Sequence, residues 1–487
     1  MALALHGSTT NAQTPTAARD SALTCAQDLD AIKQRLEMNY GGYTVEVKGD
    51  KLRSYQDTVA ALRKTAERTQ GSDCYFVLDK FIHWFNDPHL FVYQNTTVDT
   101  AETTRRARLV QTVSLNEIEA RALFIKRAKS LDPIEGIWYD GPLRVAIVPD
   151  TGKSKGRFIA VVIASDTSTW REGTVRARFT RRKDGGYDAD ISERNYGLRH
   201  ANGEIYKRIM LRLSPGIWGK AFPIAAADSG LIDPVDVHRP TIVERRGTVI
   251  VSIPSHDPGL KKKLDSLIAV HQKELTSTKR LVIDLRGNEG GGSFMSDGLI
   301  PYIASEHLRP SRLRGRDAMM MSSPDQIAYA RRAFGSDTSR FVRTLLERMQ
   351  AHPGELVPLN DTTLPPEPER LPPVIPGPRR VGVLIDRGTV SASEVLVLDA
   401  LRSERTTVFG QATAGALDYQ STSIARFSPR ESRWYLGYPT ITRNTKLPLD
   451  GMRGVGIAPN VTLNLARLSD PIAEVDRQLA HRGSAPH

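Results

Sequence analysis

Two stretches of this 487-residue chain set small and polar residues at the ends of apolar runs, where backbone and side-chain groups can face a cleft. The run Leu281 to Leu285 passes into Arg286-Gly287-Asn288-Glu289-Gly290-Gly291-Gly292-Ser293. Consecutive glycines at a strand end leave N–H groups uncovered by side chains, which suits an oxyanion or a phosphate. The spacing has neither GxGxxG nor the Lys-Ser/Thr of a P-loop, which argues against a nucleotide. The run Val381 to Ile385 ends in Asp386-Arg387-Gly388-Thr389-Val390-Ser391-Ala392-Ser393-Glu394, and a helix is expected to follow. A serine at such a strand-to-helix turn presents its hydroxyl at a helix N-terminus, where the dipole and free N–H groups favour developing negative charge. The plainer alternatives are a flexible turn for the glycines and an N-cap for the serine. A third place of interest is Phe85-Asn86-Asp87-Pro88-His89-Leu90, where proline disfavours helical backbone in the residue before it. His89 is therefore expected on a turn just past a helix end.

The elements that must hold these residues follow from periodicity. Leu29, Ile32 and Leu36, then Tyr55, Val59 and Leu62, then Phe76, Val77, Phe81 and Trp84 recur at helical spacing and predict three amphipathic helices. A further helix is expected from about Ala101 to Lys129. Strands are expected at Arg144 to Val148, Arg157 to Ser165, Thr174 to Thr180 and Ile209 to Leu213, separated by glycine-bearing turns, as in an antiparallel barrel or sandwich. From Thr241 strands alternate with helices: Thr248 to Ile253, Leu260 to Leu275, Arg280 to Leu285, Val381 to Ile385, Ser391 to Arg402 and Thr406 to Phe409. That alternation predicts an α/β layer with parallel strands. Pro365 to Pro378 holds seven prolines and is expected as an extended surface loop. The predicted organisation is a tether over 1–22, a helical region over 23–132, an antiparallel β domain over 133–240 and an α/β core over 241–487.

Composition excludes some classes of function. No apolar run approaches the roughly 18 residues of a membrane span, so no integral membrane segment is expected. A net charge of +12 from 67 basic and 55 acidic residues attracts anionic partners without naming one. No Cys/His fingers or paired basic-aromatic motifs accompany it, so nucleic acid is not an expected partner. The two cysteines, Cys25 and Cys74, cannot alone make a four-ligand zinc site; they form either one disulfide in an exported protein or two buried thiols in the cytoplasm. Met1 to Ala18 combines a very short apolar stretch, an Asn-Ala-Gln segment and a polar tether, without a basic n-region. It reads as the remnant of a signal peptide, which makes the expected location periplasmic or secreted, with a cytoplasmic location as the alternative.

LVIDLRGNEGGGS, followed about a hundred residues later by LIDRGTVSASEVLVLDALRSERTTVFGQATAG, resembles the core of the S41 serine peptidases: the tail-specific, C-terminal-processing and tricorn-type proteases. The resemblance spans about Thr241 to Leu465 and implies a crotonase-like/ClpP-like α/β fold, carrying here an N-terminal helical cap and an inserted antiparallel β domain. It implies that Ser391 is the nucleophile and that the N–H groups of Ala392 and of Gly290 or Gly291 form the oxyanion hole. The processing branch places a lysine general base in Gly-x-x-Thr-x-Gly-Lys; this chain has Ala416 in Gly410-Gln411-Ala412-Thr413-Ala414-Gly415-Ala416, so that dyad is absent. A serine hydroxyl needs another proton acceptor. The tricorn-type branch supplies a histidine from an N-terminal Asp-x-His stretch, and Asp87-Pro88-His89 fits, making His89 the candidate base ahead of His83, His256 and His271.

Asp450 is expected to orient His89 from the C-terminal region, with Asp87 as the neighbouring acid in sequence. Glu394 reads as a helix-start acid. Arg453-Gly454-Val455-Gly456-Ile457-Ala458-Pro459-Asn460 departs from the related Glu-Gly-Val-Gly-x-x-Pro-Asp at two acids, and Pro88 stands where the tricorn branch has a serine. No Gly-Leu-Gly-Phe-like carboxylate loop of a PDZ domain lies between Pro133 and Pro240. The expected function is a non-PDZ serine peptidase, endopeptidase or C-terminal-processing, acting on peptides or unfolded protein. It needs no metal or organic cofactor, and homo-oligomeric assembly is left open. The alternatives are a catalytically inactive S41-like peptide-binding protein of the cell envelope and, more remotely, a crotonase-type acyl-CoA enzyme.

Overall fold

The computed structural model describes residues 24–481 apart from 95–99, 154, 166–168, 215, 310–317, 334–338, 361–372, 427–433 and 444–452. The tether over 1–22, residues 365–372 of the proline run and the candidate acid Asp450 lie outside the described residues.

The α/β core is a six-stranded sheet whose strands run in the order Thr241–Arg245, Thr248–Ser252, Arg280–Asp284, Arg380–Ile385, Thr406–Gly410 and Val461–Thr462. The first pair is antiparallel and every later pair parallel. Near-continuous Val/Ile/Leu composition is what a parallel sheet covered on both faces requires. One face packs Val251, Ile283 and Val383 against Leu264 and Leu396 from helices Lys261–Val270 and Ala392–Ala400. The other packs Ile250, Val282 and Leu384 against Ile472, Val475 and Leu479 of helix Pro471–His481.

The three N-terminal helices form as the spacing predicts, over Cys25–Asn39, Asp50–Ala66 and Cys74–His83. Thr24 starts the first with a capping box to Gln27, and a disulfide joins Cys25 to Cys74. Phe76, expected on the apolar face, is instead 50% exposed and stacks near His200 of the β domain, 4.7 Å between ring centres. These helices bury Leu29, Ile32, Leu36, Phe81 and Phe85 against Tyr419, Trp434, Leu436 and Tyr438, which belong to strands near the other end of the chain. Those strands, Tyr419–Arg426 and Trp434–Thr442, pair with each other, and the second also pairs with Phe91–Gln94 and Met319–Met321.

The helix expected over 101–129 is two helices, Thr100–Ala107 and Glu117–Lys126. Between them the chain runs beside a strand of the β domain: the Val113 amide donates to Gly173 O and the Val175 amide to Gln111 O. Asn116 then restarts the helix with a capping box to Glu119. The antiparallel part is a closed barrel of eight strands between Gly136 and Phe222. Alternate residues such as Trp138, Phe158, Phe179, Tyr187 and Trp218 share one core inside it, while Ile137, Ile159 and Val161 face out against Phe124. No helix among the described residues is long and apolar enough to cross a membrane.

Candidate active site

Strands Arg280–Asp284 and Arg380–Ile385 pair in parallel register, so their carboxyl ends lie side by side and the loops that leave them meet. The Val390 amide and the Ser393 hydroxyl both donate to Asn288 O, each at 2.9 Å. Thr389 Oγ1 donates to Leu285 O at 3.0 Å, and Asp386 Oδ1 accepts the amides of Gly287 and Gly388, each at 2.9 Å. Burial pushes the Asp386 carboxyl up, against these donors and the Arg286 guanidinium.

Gly290 sits directly against Ser391. A Cβ on Gly290, whose φ is +90°, would fall 2.8 Å from Ser391 Cβ and 3.0 Å from the Ala392 nitrogen, so only glycine permits this approach. The Gly290 amide is already committed, donating to Asn288 Oδ1 at 2.9 Å. Among the described residues the amides of Gly291 and Ala392 have no acceptor. Of the candidate oxyanion donors, these two are open to a ligand.

His256 holds the glycine loop from beneath. Its amide donates to Gly290 O at 3.0 Å and its carbonyl accepts from Gly292 N at 2.8 Å. Asn288 Nδ2 donates to its ring Nδ1 at 2.9 Å, which leaves Nε2 to carry the proton toward Ser296 Oγ at 3.3 Å. Burial lowers its pKa to about 4, with the Asn288 contact opposing, so the ring is neutral. His256, ranked behind His89 as a candidate base, is thus a support of the glycine loop that the sequence did not reveal. The available signal was its position just beyond strand Thr248–Ser252, at the same sheet edge as the two loops.

Ser391 occupies φ +58°, ψ −116°, a sparsely populated backbone region for a non-glycine residue that costs on the order of 1–3 kcal/mol and tends to persist where surroundings enforce it. The enforcing group is Glu394. Its carboxylate accepts the Ser391 amide (2.8 Å), Thr413 Oγ1 (2.5 Å) and the amides of Gly415 and Ala416 (2.8 Å each). Burial raises the Glu394 carboxyl, and these donors oppose it. Glu394 is thus more than a helix-start acid: it ties the serine turn to the segment in which Ala416 stands.

His89 lies on the turn after helix Cys74–His83, its side chain 11% exposed. Asp87 Oδ1 accepts the His89 amide at 2.9 Å and lies 3.6 Å from its ring Nδ1, which has no hydrogen-bond partner. Asp87 Oδ2 accepts Tyr40 Oη at 2.7 Å, and burial followed by this carboxylate raises the Tyr40 hydroxyl well above its ordinary range. No hydrogen bond joins His89 to Ser391 among the described residues. The two are linked through residues 453–457. Arg453 donates to Phe85 O, ion-pairs with Glu46 at 2.8 Å, and its amide donates to Asp418 Oδ2 at 2.8 Å. Further along, the Ile457 amide donates to Thr413 Oγ1 at 2.7 Å. Arg453, one of the departures from the related pattern, therefore moors the turn that carries His89. His83 is 63% exposed and bonded to Asp79 O within its own helix, and His271 sits at the break between helices Lys261–Val270 and Gln272–Ser277.

Residues 247–463, which hold both loops, match peptidase family S41. The match covers 217 of the 487 residues and lies in the α/β core, which is similar to that of peptidase family S41. The S41 match begins after the barrel, and no curated protein matches the chain in sequence. Among solved structures, mature CPAF is similar at 14% identity over 95% of this chain and 98% of that one, with a TM-score of 0.46. The photosystem II D1 C-terminal processing protease is similar at 14% identity over 94% and 97%, TM-score 0.34. The tricorn protease is similar at 11% identity over 94% of this chain and 37% of its own, TM-score 0.39. S41 is a family of proteases, and the open Gly291 and Ala392 amides beside Ser391 lie within the matched core.

Proposed function

We propose that this chain is a serine peptidase acting on peptides or unfolded protein through an acyl-enzyme. The Ser391 oxygen attacks the scissile carbonyl carbon while His89 takes the hydroxyl proton. The resulting oxyanion is held by the N–H groups of Gly291 and Ala392. The C–N bond then breaks as His89 returns the proton to the leaving amine. Water, deprotonated by His89, hydrolyses the ester and restores Ser391. Asp87, fixed by Tyr40, orients the His89 ring, the task for which the sequence suggested Asp450. The observation that carries this reading is the contact of Gly290 with Ser391, which leaves two open amides beside a strained serine.

A fluorophosphonate probe is expected to label Ser391 and to leave Ser391→Ala unlabelled; equal labelling of the two overturns the reading. Cleavage of peptides with free against amidated C-termini then separates C-terminal processing from endopeptidase action. The Cys25–Cys74 disulfide favours a periplasmic or secreted location, tested by fractionating the native protein and determining its N-terminus. A second reading, a catalytically inactive peptide-binding protein of the cell envelope, is favoured by Ala416 and by the missing His89–Ser391 hydrogen bond. It predicts peptide binding without probe labelling. Hydrogen bonds of this kind tighten in substrate complexes, which is why the peptidase reading stands first.

A further inference from the structure

We infer that Arg212 is a positioning residue through which the barrel fixes the spacing of the two loops bearing the oxyanion amides and Ser391. The inference rests on the peptidase reading. Barrel strands Leu198–Tyr206 and Met210–Arg212 are joined by a tight turn in which Lys207 and Arg208 both have positive φ, +51° and +64°. Tyr206 pairs with Met210, so the hairpin loop is the three residues 207–209, closed by the Ile209 amide donating to Tyr206 O. The hairpin is aimed at the carboxyl edge of the α/β sheet.

Lys207 is driven into that edge. Its Nζ donates to Ser252 Oγ at 2.9 Å and to Asp284 O at 3.3 Å, and lies 3.4 Å from Asp284 Oδ2. Burial lowers its pKa, with Asp284 opposing. Burial alone would raise the Asp284 carboxyl, but Arg286 and Lys207 beside it hold it down to about 2. A buried ammonium without such partners would be costly, so the hairpin is committed to one seat.

Seated there, Tyr206 and Arg212 reach both loops at equivalent points. Cβ atoms built on Gly287 and Gly388 would approach Tyr206 Cβ at 2.7 Å and Tyr206 Cε1 at 2.3 Å, so both glycines lie flat against this residue. The Arg212 guanidinium stacks on the Tyr206 ring at 4.5 Å and ion-pairs with Glu289. Its Nη2 donates to Gly287 O at 2.7 Å and to Gly388 O at 3.3 Å. Asp386 of the core accepts the amides of the same two glycines. Each glycine is therefore bracketed, amide by a core carboxylate and carbonyl by the barrel's guanidinium. Gly287 precedes Gly291 by four residues, and Gly388 precedes Ala392 by four. One planar cation thus ties the loops at matching distances from the atoms whose separation sets the fit of a tetrahedral oxyanion. Lysine, with a compact ammonium, cannot reproduce the stacked fork.

The test uses the full chain and a fluorophosphonate, with kinact and KI determined separately and amide hydrogen exchange followed over residues 286–292 and 387–393. Arg212→Met is expected to lower kinact about 10- to 100-fold with KI nearly unchanged, less than the roughly 10²–10³-fold cost of deleting an oxyanion donor outright. Exchange is expected to rise in the two loops alone. Arg212→Lys should fall between wild type and Arg212→Met, and it serves as the test variant if the methionine protein fails to fold. Wild-type kinact and loop exchange in the variants would overturn the inference. So would KI rising in step with exchange throughout barrel and core, the mark of structural support only. If the wild-type chain is not labelled at all, the peptidase reading fails, while the exchange measurement still decides whether Arg212 brackets the loops.

Discussion

The half of the candidate site that would stabilise charge and the half that would move the proton are built in opposite ways. The glycine loop and Ser391 come from two contiguous stretches at the ends of neighbouring parallel strands, locked by Asn288, His256, Asp386 and Glu394. His89 comes from an N-terminal turn fixed by Tyr40, Asp87 and Arg453, over a core shared with strands 419–442. The first half is preformed and its amides stand open. The second is held close to rigidly through its backbone while its ring nitrogen waits without a hydrogen bond. On the peptidase reading, preorganisation is concentrated where a developing oxyanion would need it most, since fixed dipoles at that point cost no reorganisation during reaction.

The largest effects should come from removing either half. Ser391→Ala and His89→Ala are each expected to reduce peptide hydrolysis by about 10⁴–10⁶-fold, because members of such a unit fail together. A His89→Ala enzyme that keeps its rate would break the comparison by showing that the N-terminal turn supplies no base. Asp87→Asn should cost about 10²–10⁴-fold in kcat with KM nearly unchanged, since an amide at that place selects the wrong imidazole tautomer. An unaltered kcat would return the orienting role to another acid.

Cys25→Ser with Cys74→Ser tests the mooring of the His89 half. The cross-link spans 49 residues, and loop-closure entropy puts its contribution at about 4 kcal/mol. Denaturant unfolding should show that loss, and exchange should rise in helices 25–83 while residues 286–292 stay protected. Uniform exchange would mean that the two halves are not separate cooperative units.

The smallest expected effect concerns pH. His256 has a folded-state pKa of about 4 against an unfolded value near 6.5, so between these values the unfolded chain binds more protons. Its contribution to stability is complete above about pH 6.5 and is lost as pH falls to about 4, amounting to about 3 kcal/mol. Urea midpoints across that range, compared with His256→Asn, should show a shallower dependence in the variant. An identical dependence would remove His256 from the group that locks the glycine loop.

The glycine loop and the serine turn were legible in the sequence because their signals are local. Leu281 to Ser293 and Val381 to Glu394 each hold a strand, a turn and their functional atoms within about fifteen residues, and their order matched a family. The barrel was half visible. Arg157–Ser165 is apolar on both faces and stood out, whereas Tyr187–Ser192 and Leu198–Tyr206 alternate buried and polar residues over stretches too mixed to read as strands. The break after Ala107 was hidden because it answers to pairing with Gly173 and Val175, beyond any local window. Arg212, Glu394 and Arg453 look like ordinary charges until three distant segments are folded together. Their roles lie in carbonyls and amides that composition does not reveal.

Trp434 donates its indole N–H to Asp28 across 406 positions, and its strand forms part of the floor beneath the His89 turn. A chain still on the ribosome lacks that floor until strand Trp434–Thr442 has been made, whatever its glycine loop has already achieved. On the peptidase reading, the order of synthesis would act as a safety catch, since the His89 half could not be completed before strand Trp434–Thr442 is made.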